Sequence, residues 1–325
     1  MLIPVGLIVA GLAILAVGGE VLLRGAVGLA TRLRLTPAVI GLTVVAAGTS
    51  VPELAVSLIA SLENQTDIAV GNVVGSNVFN AVFILGLSAV IRPLAIGGNT
   101  IRLEYPVLAI VTLMCLALTQ DGSVNRLDAA LLLAVYVGFT AYMVSLVRQQ
   151  MNATELQEFG DEVRELGGDA PIARSLPILT GFVLGGVALL GAGAQLTVAG
   201  AVDLARLFGL SERVIGLTIV AAGTSLPEVI TSVVSTVRGR GDVAMGNVIG
   251  SNLFNILGIL GLSALVSPLQ VHPLIVARDN WWMLGTTLLL FPLMYTGHRV
   301  TRREGGVLLV VFFVYLALLF QQAST

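Results

Sequence analysis

The sequence contains no lysine: all 17 of its basic residues are arginine. That excludes Schiff-base chemistry and any lysine general base. The single cysteine, Cys115, lies inside an apolar run, so no intramolecular disulfide and no cysteine-ligated metal can form. The two histidines, His272 and His298, stand apart near the ends of apolar runs, where packing at an interface accounts for them better than ligation. No H-E-x-x-H is found, and neither histidine neighbours the hydroxyl-rich stretches that would have to supply a serine nucleophile. The chain is therefore read as not an enzyme. Charge is scarce too: 11% of the 325 residues against 56% hydrophobic, with a mean hydropathy of +0.96. A soluble domain of this size needs far more charged surface.

What the chain has instead is a succession of apolar runs, each long enough to cross a bilayer core of ~30 Å as a helix of roughly 20 residues. Charge and turn residues divide them into helices near 2–29, 37–61, 68–91, 103–119, 128–147, 176–204, 213–236, 243–266, 280–296 and 306–320. The expected fold is an all-α polytopic membrane protein of ten spans. The opening run lacks the basic start of a signal peptide and is read as a retained first helix. With the N-terminus outside, the cytoplasmic loops hold 12 arginines, among them Arg92, Arg238 and Arg299, and the opposite loops hold four, Arg126, Arg206, Arg213 and Arg278. That bias places both termini outside. The absence of cysteine pairs and of large regulatory domains fits a plasma (inner) membrane. Arg24 follows Glu20 by four residues, a spacing at which the two can pair on one helix face.

The runs repeat. Residues 41–94 set against 216–269, an offset of 175 without gaps, are identical at 30 of 54 positions. "GLTVVAAGTSVPE" faces "GLTIVAAGTSLPE", and "GNVVGSNVFN" faces "GNVIGSNLFN". Gly6, Gly11, Gly18 and Gly25 of the first helix align with Gly181, Gly186, Gly193 and Gly200. The expected organisation is a five-helix repeat over 1–148, an acidic hydrophilic linker over 149–175 and a second repeat over 176–325. An odd number of spans per repeat makes the second copy enter from the opposite side, an inverted topology. Thr43, Thr49, Ser50, Glu53, Ser57, Asp67, Asn72, Ser76, Asn77, Asn80 and Ser88 all have identical partners, while the apolar positions drift among Val, Ile, Leu and Ala. Packing alone would preserve the opposite set.

Pro52 and Pro227 have no N–H, so the helices carrying them bend or break just before Glu53 and Glu228. Carbonyls freed at membrane depth belong where they line a cavity or bind something. Thr49, Glu53 and Ser57 recur every four residues, as do Asn72, Ser76 and Asn80, and Thr224, Glu228, Ser232 and Asn247, Ser251, Asn255 repeat both stripes. An acid at mid-helix costs roughly 2.5–3.5 kcal/mol on insertion scales. Two of them meeting near the midplane call for a cation to offset that cost. The donors are all hard oxygens, which suit Ca²⁺ or Na⁺ rather than zinc or copper. Thr43, Ser57, Ser88 and their partners serve equally well as plain interhelical hydrogen bonds.

The two long motifs resemble the paired α-repeats of the cation/Ca²⁺ antiporter superfamily, the sodium/calcium exchangers in particular, and "GGEVLLRGA" in the first helix is similar to that family's gating-helix motif. The resemblance implies ten helices and alternating access, with the first and sixth helices sliding over a fixed core. It also implies overlapping sites for which Na⁺ and Ca²⁺ compete. Carried over by position, Glu53 and Glu228 become the central ligands. Thr49, Ser50, Thr224 and Ser225 add hydroxyl or backbone oxygens, as do Ser76 and Ser251. Asn80 and Asn255 complete the set, and the carbonyls of Ala46 and Ala221 serve the outlying Na⁺ sites. The potassium-dependent branch has Asp where this chain has Asn255, so here the site holds a charge of -2, which speaks against an obligatory K⁺ site. The expected function is exchange of Ca²⁺ for Na⁺, with Ca²⁺/H⁺ antiport through the same two glutamates as the alternative. The expected partners are these ions and the lipid bilayer, with no cofactor, nucleic acid or protein partner. A channel would carry flux without counter-ion coupling, and the inverted repeat argues against it.

Overall fold

The computed structural model describes residues 2–33, 37–150, 175–208 and 221–323. The linker expected over 149–175 lies outside the described residues from 151 to 174, as does 209–220, which would open the helix expected at 213–236. The described chain is almost wholly helical, as its hydropathy requires. The helices are α1 (Leu2–Leu33), α2 (37–62), α3 (Thr66–Ile91), α4 (Thr100–Leu118), α5 (Arg126–Gln150), α6 (Leu176–Leu207), α7 (221–237), α8 (Gly241–Val266), α9 (275–295) and α10 (Arg302–Ala323). Among the described residues six helices are long and apolar enough to cross a membrane, or seven when the bent α2 counts as one span. The other expected spans fall on Leu226–Val237, Asn280–Tyr295 and Arg302–Ala323, which are shorter or begin with charge. The protein is a multi-pass helical membrane protein.

The elements recur at the offset of the sequence repeat. Helix α2 breaks at Ser50 (φ -84°, ψ 13°) between Ala46–Thr49 and Val51–Leu62, and its two parts meet at 54°. Helix α7 breaks the same way at Ser225 (φ -87°, ψ 7°), between Ala221–Thr224 and Leu226–Val237. In both, proline stands two residues after the break, where its missing N–H is tolerated because a new helical segment is starting. Helices α3 and α8 each carry a π-helical stretch, Phe79–Ile84 and Phe254–Leu260. Such wide turns cluster at functional positions in other proteins. These two helices form the centre: 67% and 83% of their apolar windows are buried, against 28% for α1 and α6.

Helices α1 and α6 pack side by side and antiparallel, since Pro4, Gly11 and Gly18 meet Gly200, Gly193 and Gly186 in reverse order. The glycines permit this spacing. A Cβ on Gly193 would stand 2.8 Å from the backbone nitrogen of Leu15 and 2.9 Å from the carbonyl oxygen of Gly11. Outside the centre, Phe312 of α10 packs on Phe79 and Phe83 of α3, and Tyr136 of α5 packs on Phe254 of α8. Two antiparallel clips of two residues per strand tie the loops. Strand β1 (Leu94–Ala95) pairs with β4 (Arg299–Val300), and β2 (Ser123–Val124) pairs with β3 (Leu269–Gln270). Each clip joins an early loop to a late one; the offset of 175 carries β1 onto β3, and an offset of 176 carries β2 onto β4.

Candidate cation site

Glu53 and Glu228 each occupy the first turn that follows a helix break. A carboxylate there faces the N-terminal end of a helix dipole. Both side chains are buried, at 1% and 2% exposure. What holds them is an exchange between the two breaks. Ser225 donates its hydroxyl to Glu53 Oε1 at 2.8 Å, and Ser50 donates to Glu228 Oε1 at 2.7 Å. Each break residue thus fixes the acid of the other repeat copy. Ser50 also stands 3.3 Å from the Ser251 hydroxyl of α8.

A second layer braces the acids through their backbone. Asn72 Nδ2 on α3 donates to the Glu53 carbonyl at 3.1 Å and to Ser57 Oγ at 2.9 Å. Asn247 Nδ2 on α8 does the same to the Glu228 carbonyl at 3.5 Å and to Ser232 Oγ at 2.9 Å. Asn252 Nδ2 reaches the Asn77 carbonyl at 3.3 Å and ties α8 to α3. Ser57 and Ser232 are accordingly interhelical braces, and Thr43 is satisfied locally by the Val39 carbonyl at 2.7 Å.

The oxygens left over define what the site can do. Among the described residues Glu53 Oε2 and Glu228 Oε2 are buried and find no hydrogen-bond partner, nor do Asn80 Oδ1 and both ends of the Asn255 amide. Buried polar atoms are nearly always paired, and an unpaired carboxylate oxygen is among the costliest exceptions. Asn80 and Asn255 lie second in their π-helical stretches. Ser76 and Ser251 are buried one turn earlier. Thr49 donates to the Ala46 carbonyl at 3.2 Å and stands 3.4 Å from Asn247 Oδ1. The Ala46 carbonyl also accepts the Ser50 N–H at 3.1 Å, so the carbonyl that the family resemblance assigns to an outlying Na⁺ site already has two partners. Thr224 is half-buried beside Ser225, and Ala221 lies four residues before the second break. Among the described residues no group of three or more His, Cys, Asp or Glu could hold a metal. The donor set is two carboxylates with hydroxyl, amide and backbone oxygens.

The four-residue spacing of Thr49, Glu53 and Ser57 would put them on one face of an unbroken helix, but the bend at Ser50 puts Thr49 on a different segment from the other two. The pairing of Glu20 with Arg24 is present, Nε to Oε1 at 2.8 Å, but Arg238, just past the end of α7, also reaches the same oxygen at 3.0 Å. Nothing in the spacing of Arg238 pointed to that contact.

Comparison with known proteins shows the family. The family model described as sodium/calcium exchanger protein matches residues 3–145 and 178–321. The inner membrane protein YrbG of Escherichia coli (strain K12) is 37% identical over 323 residues, 98% of each chain. The sodium/calcium exchanger MaX1 of Methanosarcina acetivorans is 30% identical over 344 residues, covering 95% of this chain and 96% of that one. A solved structure of the sodium-calcium exchanger NCX_Mj, soaked with zero Na⁺ and Ca²⁺, superposes with a TM-score of 0.82 at 28% identity, over 98% of this chain and 99% of the other. Two helix breaks carrying two serine-held acids, inside a chain matched over both of its halves, place this protein in the sodium/calcium exchanger family.

Proposed function

We propose that the protein is a secondary active transporter that exchanges Ca²⁺ for Na⁺ across the membrane at one shared site. The observation that carries this reading is the arrangement of the two acids. Each gives one oxygen to a serine of the other repeat copy and keeps its second oxygen buried, with no partner among the described residues. Such a pair carries two negative charges, which one Ca²⁺ or two Na⁺ would neutralise in turn. Neutralised, the site can be occluded; bare, it carries two uncompensated charges that are expensive to enclose in low dielectric. That difference couples the two fluxes, because only a loaded site changes its side of access cheaply.

The ligands in this reading are Glu53 and Glu228 at the centre, with oxygens of Thr49, Ser50, Thr224, Ser225, Ser76, Ser251, Asn80 and Asn255 around them. The Ala46 and Ala221 carbonyls stand at the edge. To serve, the Ala46 carbonyl gives up its bond from the Thr49 hydroxyl, for which Asn247 Oδ1 is a second acceptor. Having Asn rather than Asp at 255 keeps the charge at two and leaves no carboxylate for an added K⁺. The antiparallel contact of α1 with α6 and the symmetric clips support two inverted five-helix repeats, 1–148 and 176–325, joined by the linker 149–175. Ten spans then put both termini outside a plasma membrane. The thinly buried α1–α6 pair is the part that slides over the remaining helices.

Purified protein in liposomes, given a Na⁺, pH or K⁺ gradient one at a time, tests the reading through ⁴⁵Ca²⁺ uptake. An outward Na⁺ gradient alone is expected to drive accumulation. Uptake driven by the pH gradient alone would instead establish Ca²⁺/H⁺ antiport at the same glutamates. Ca²⁺ entry with no gradient dependence would make the protein a channel and overturn the proposal.

A further inference from the structure

A groove of about 560 Å³ lies between α1 and α7, away from the two central acids. Its walls are apolar: Val17, Val21, Phe182, Val233 and Val237. Its head is charged. Glu20 Oε1 lies 2.8 Å from Arg24 Nε and 3.0 Å from Arg238 Nη2. Both arginines remain more than half exposed, 61% and 51%, while Glu20 is 24% exposed. Two guanidinium charges against one carboxylate leave a net +1 at the head of an oily trough.

The repeat supplies a control within the molecule. At the offset of 175, Val233, Val237 and Phe182 correspond to Leu58, Leu62 and Leu7, so the walls are apolar in both copies. Arg238, Arg24 and Glu20 correspond to Glu63, Ala199 and Gln195. The equivalent position on the opposite side therefore has no arginine and carries an acid. The arginines are thus a feature of one copy alone. They stand on the side where the arginine bias puts the cytoplasm, next to the leaflet that carries anionic lipid.

We propose that this groove binds an anionic phospholipid of the cytoplasmic leaflet, with an acyl chain along the valine wall and the phosphate between Arg24 and Arg238. A guanidinium pair suits phosphate because each offers forked, charge-assisted N–H donors. Glu20 holds the two arginines at a spacing that one phosphate bridges, and the lipid's single negative charge cancels the net +1. A zwitterionic lipid fills the walls equally well but brings its own cation and leaves that charge unbalanced.

The test uses the full chain in neutral detergent with an equimolar mixture of dioleoyl phosphatidylglycerol and dioleoyl phosphatidylcholine, read by native mass spectrometry. One phosphatidylglycerol is expected to be retained in preference. The Arg24→Gln/Arg238→Gln variant is expected to lose roughly thirtyfold of that preference, while the Arg24→Lys/Arg238→Lys variant keeps most of it. Val233→Trp, which fills the groove and leaves both arginines, is expected to lose the lipid as well. Millimolar inorganic phosphate is expected to leave the lipid bound. Undiminished preference in the double Gln variant, equal retention of the two lipids, retention by Val233→Trp, or displacement by inorganic phosphate would each overturn the proposal.

Discussion

Replacing Glu53 by Gln changes one charge and almost no shape. The new carbonyl oxygen can still accept the Ser225 hydroxyl, now 2.8 Å from Glu53 Oε1. The amide nitrogen then occupies the place of Glu53 Oε2, the oxygen without a partner. The fold keeps its contacts, but the cage presents an N–H₂ donor where a cation needs an acceptor. Its charge falls from two to one, so bound Ca²⁺ leaves a buried +1 uncompensated. Breaking a buried ion pair by removing one partner costs about 3–5 kcal/mol, which is roughly a hundred- to several-thousand-fold in Ca²⁺ affinity. Titration calorimetry in detergent measures that loss, and Na⁺-driven ⁴⁵Ca²⁺ uptake is expected to fall to background. Glu228→Gln is expected to match it, because Ser50 holds that acid in the same way. A folded Glu53→Gln protein whose Ca²⁺ affinity changes by less than about tenfold, 1.4 kcal/mol, would refute the assignment of both acids.

Further outcomes follow from the same geometry. Ser50→Ala and Ser225→Ala each remove a charge-assisted hydrogen bond worth about 1.5–3 kcal/mol, so Ca²⁺ affinity is expected to drop by about ten- to a hundredfold in both; an effect confined to one of the two would contradict the reciprocal arrangement. Gly193→Leu drives a side chain into the backbone of Leu15 and Gly11, and overpacking of that kind costs about 1–3 kcal/mol. It is expected to lower the unfolding temperature and abolish uptake, and wild-type behaviour would show that α1 and α6 are not packed this closely. Ca²⁺ at about 100 times its Kd is expected to add about 2.7 kcal/mol of stability, visible as a higher unfolding temperature that chelation reverses. The same shift in Glu53→Gln would mean that Ca²⁺ binds elsewhere.

Much of this protein was legible in its residues because the forces involved are local or are imposed by the solvent. Hydrocarbon admits only hydrogen-bonded helices from an apolar chain, so composition and run length sufficed for the fold class. Proline lacks an N–H wherever it stands, so the breaks before Glu53 and Glu228 could be placed without coordinates. Two copies of one segment in the same chain separated the polar positions from the drifting apolar ones. The π-helical stretches around Asn80 and Asn255 had no such signal, since their composition suits an ordinary helix equally well. Two-residue clips such as Leu94–Ala95 with Arg299–Val300 are too short to show a strand period.

The sequence alone determined that two acids lie within apolar helices and that something must neutralise them, because an unpaired charge is costly in any buried setting. Only the tertiary structure decided which groups meet them. Ser225 stands 172 residues from Glu53, and Ser50 stands 178 from Glu228. A hydrogen bond has no memory of chain separation, so the exchange of serines between the two breaks, and the reach of Arg238 to Glu20, exist only once the helices have packed.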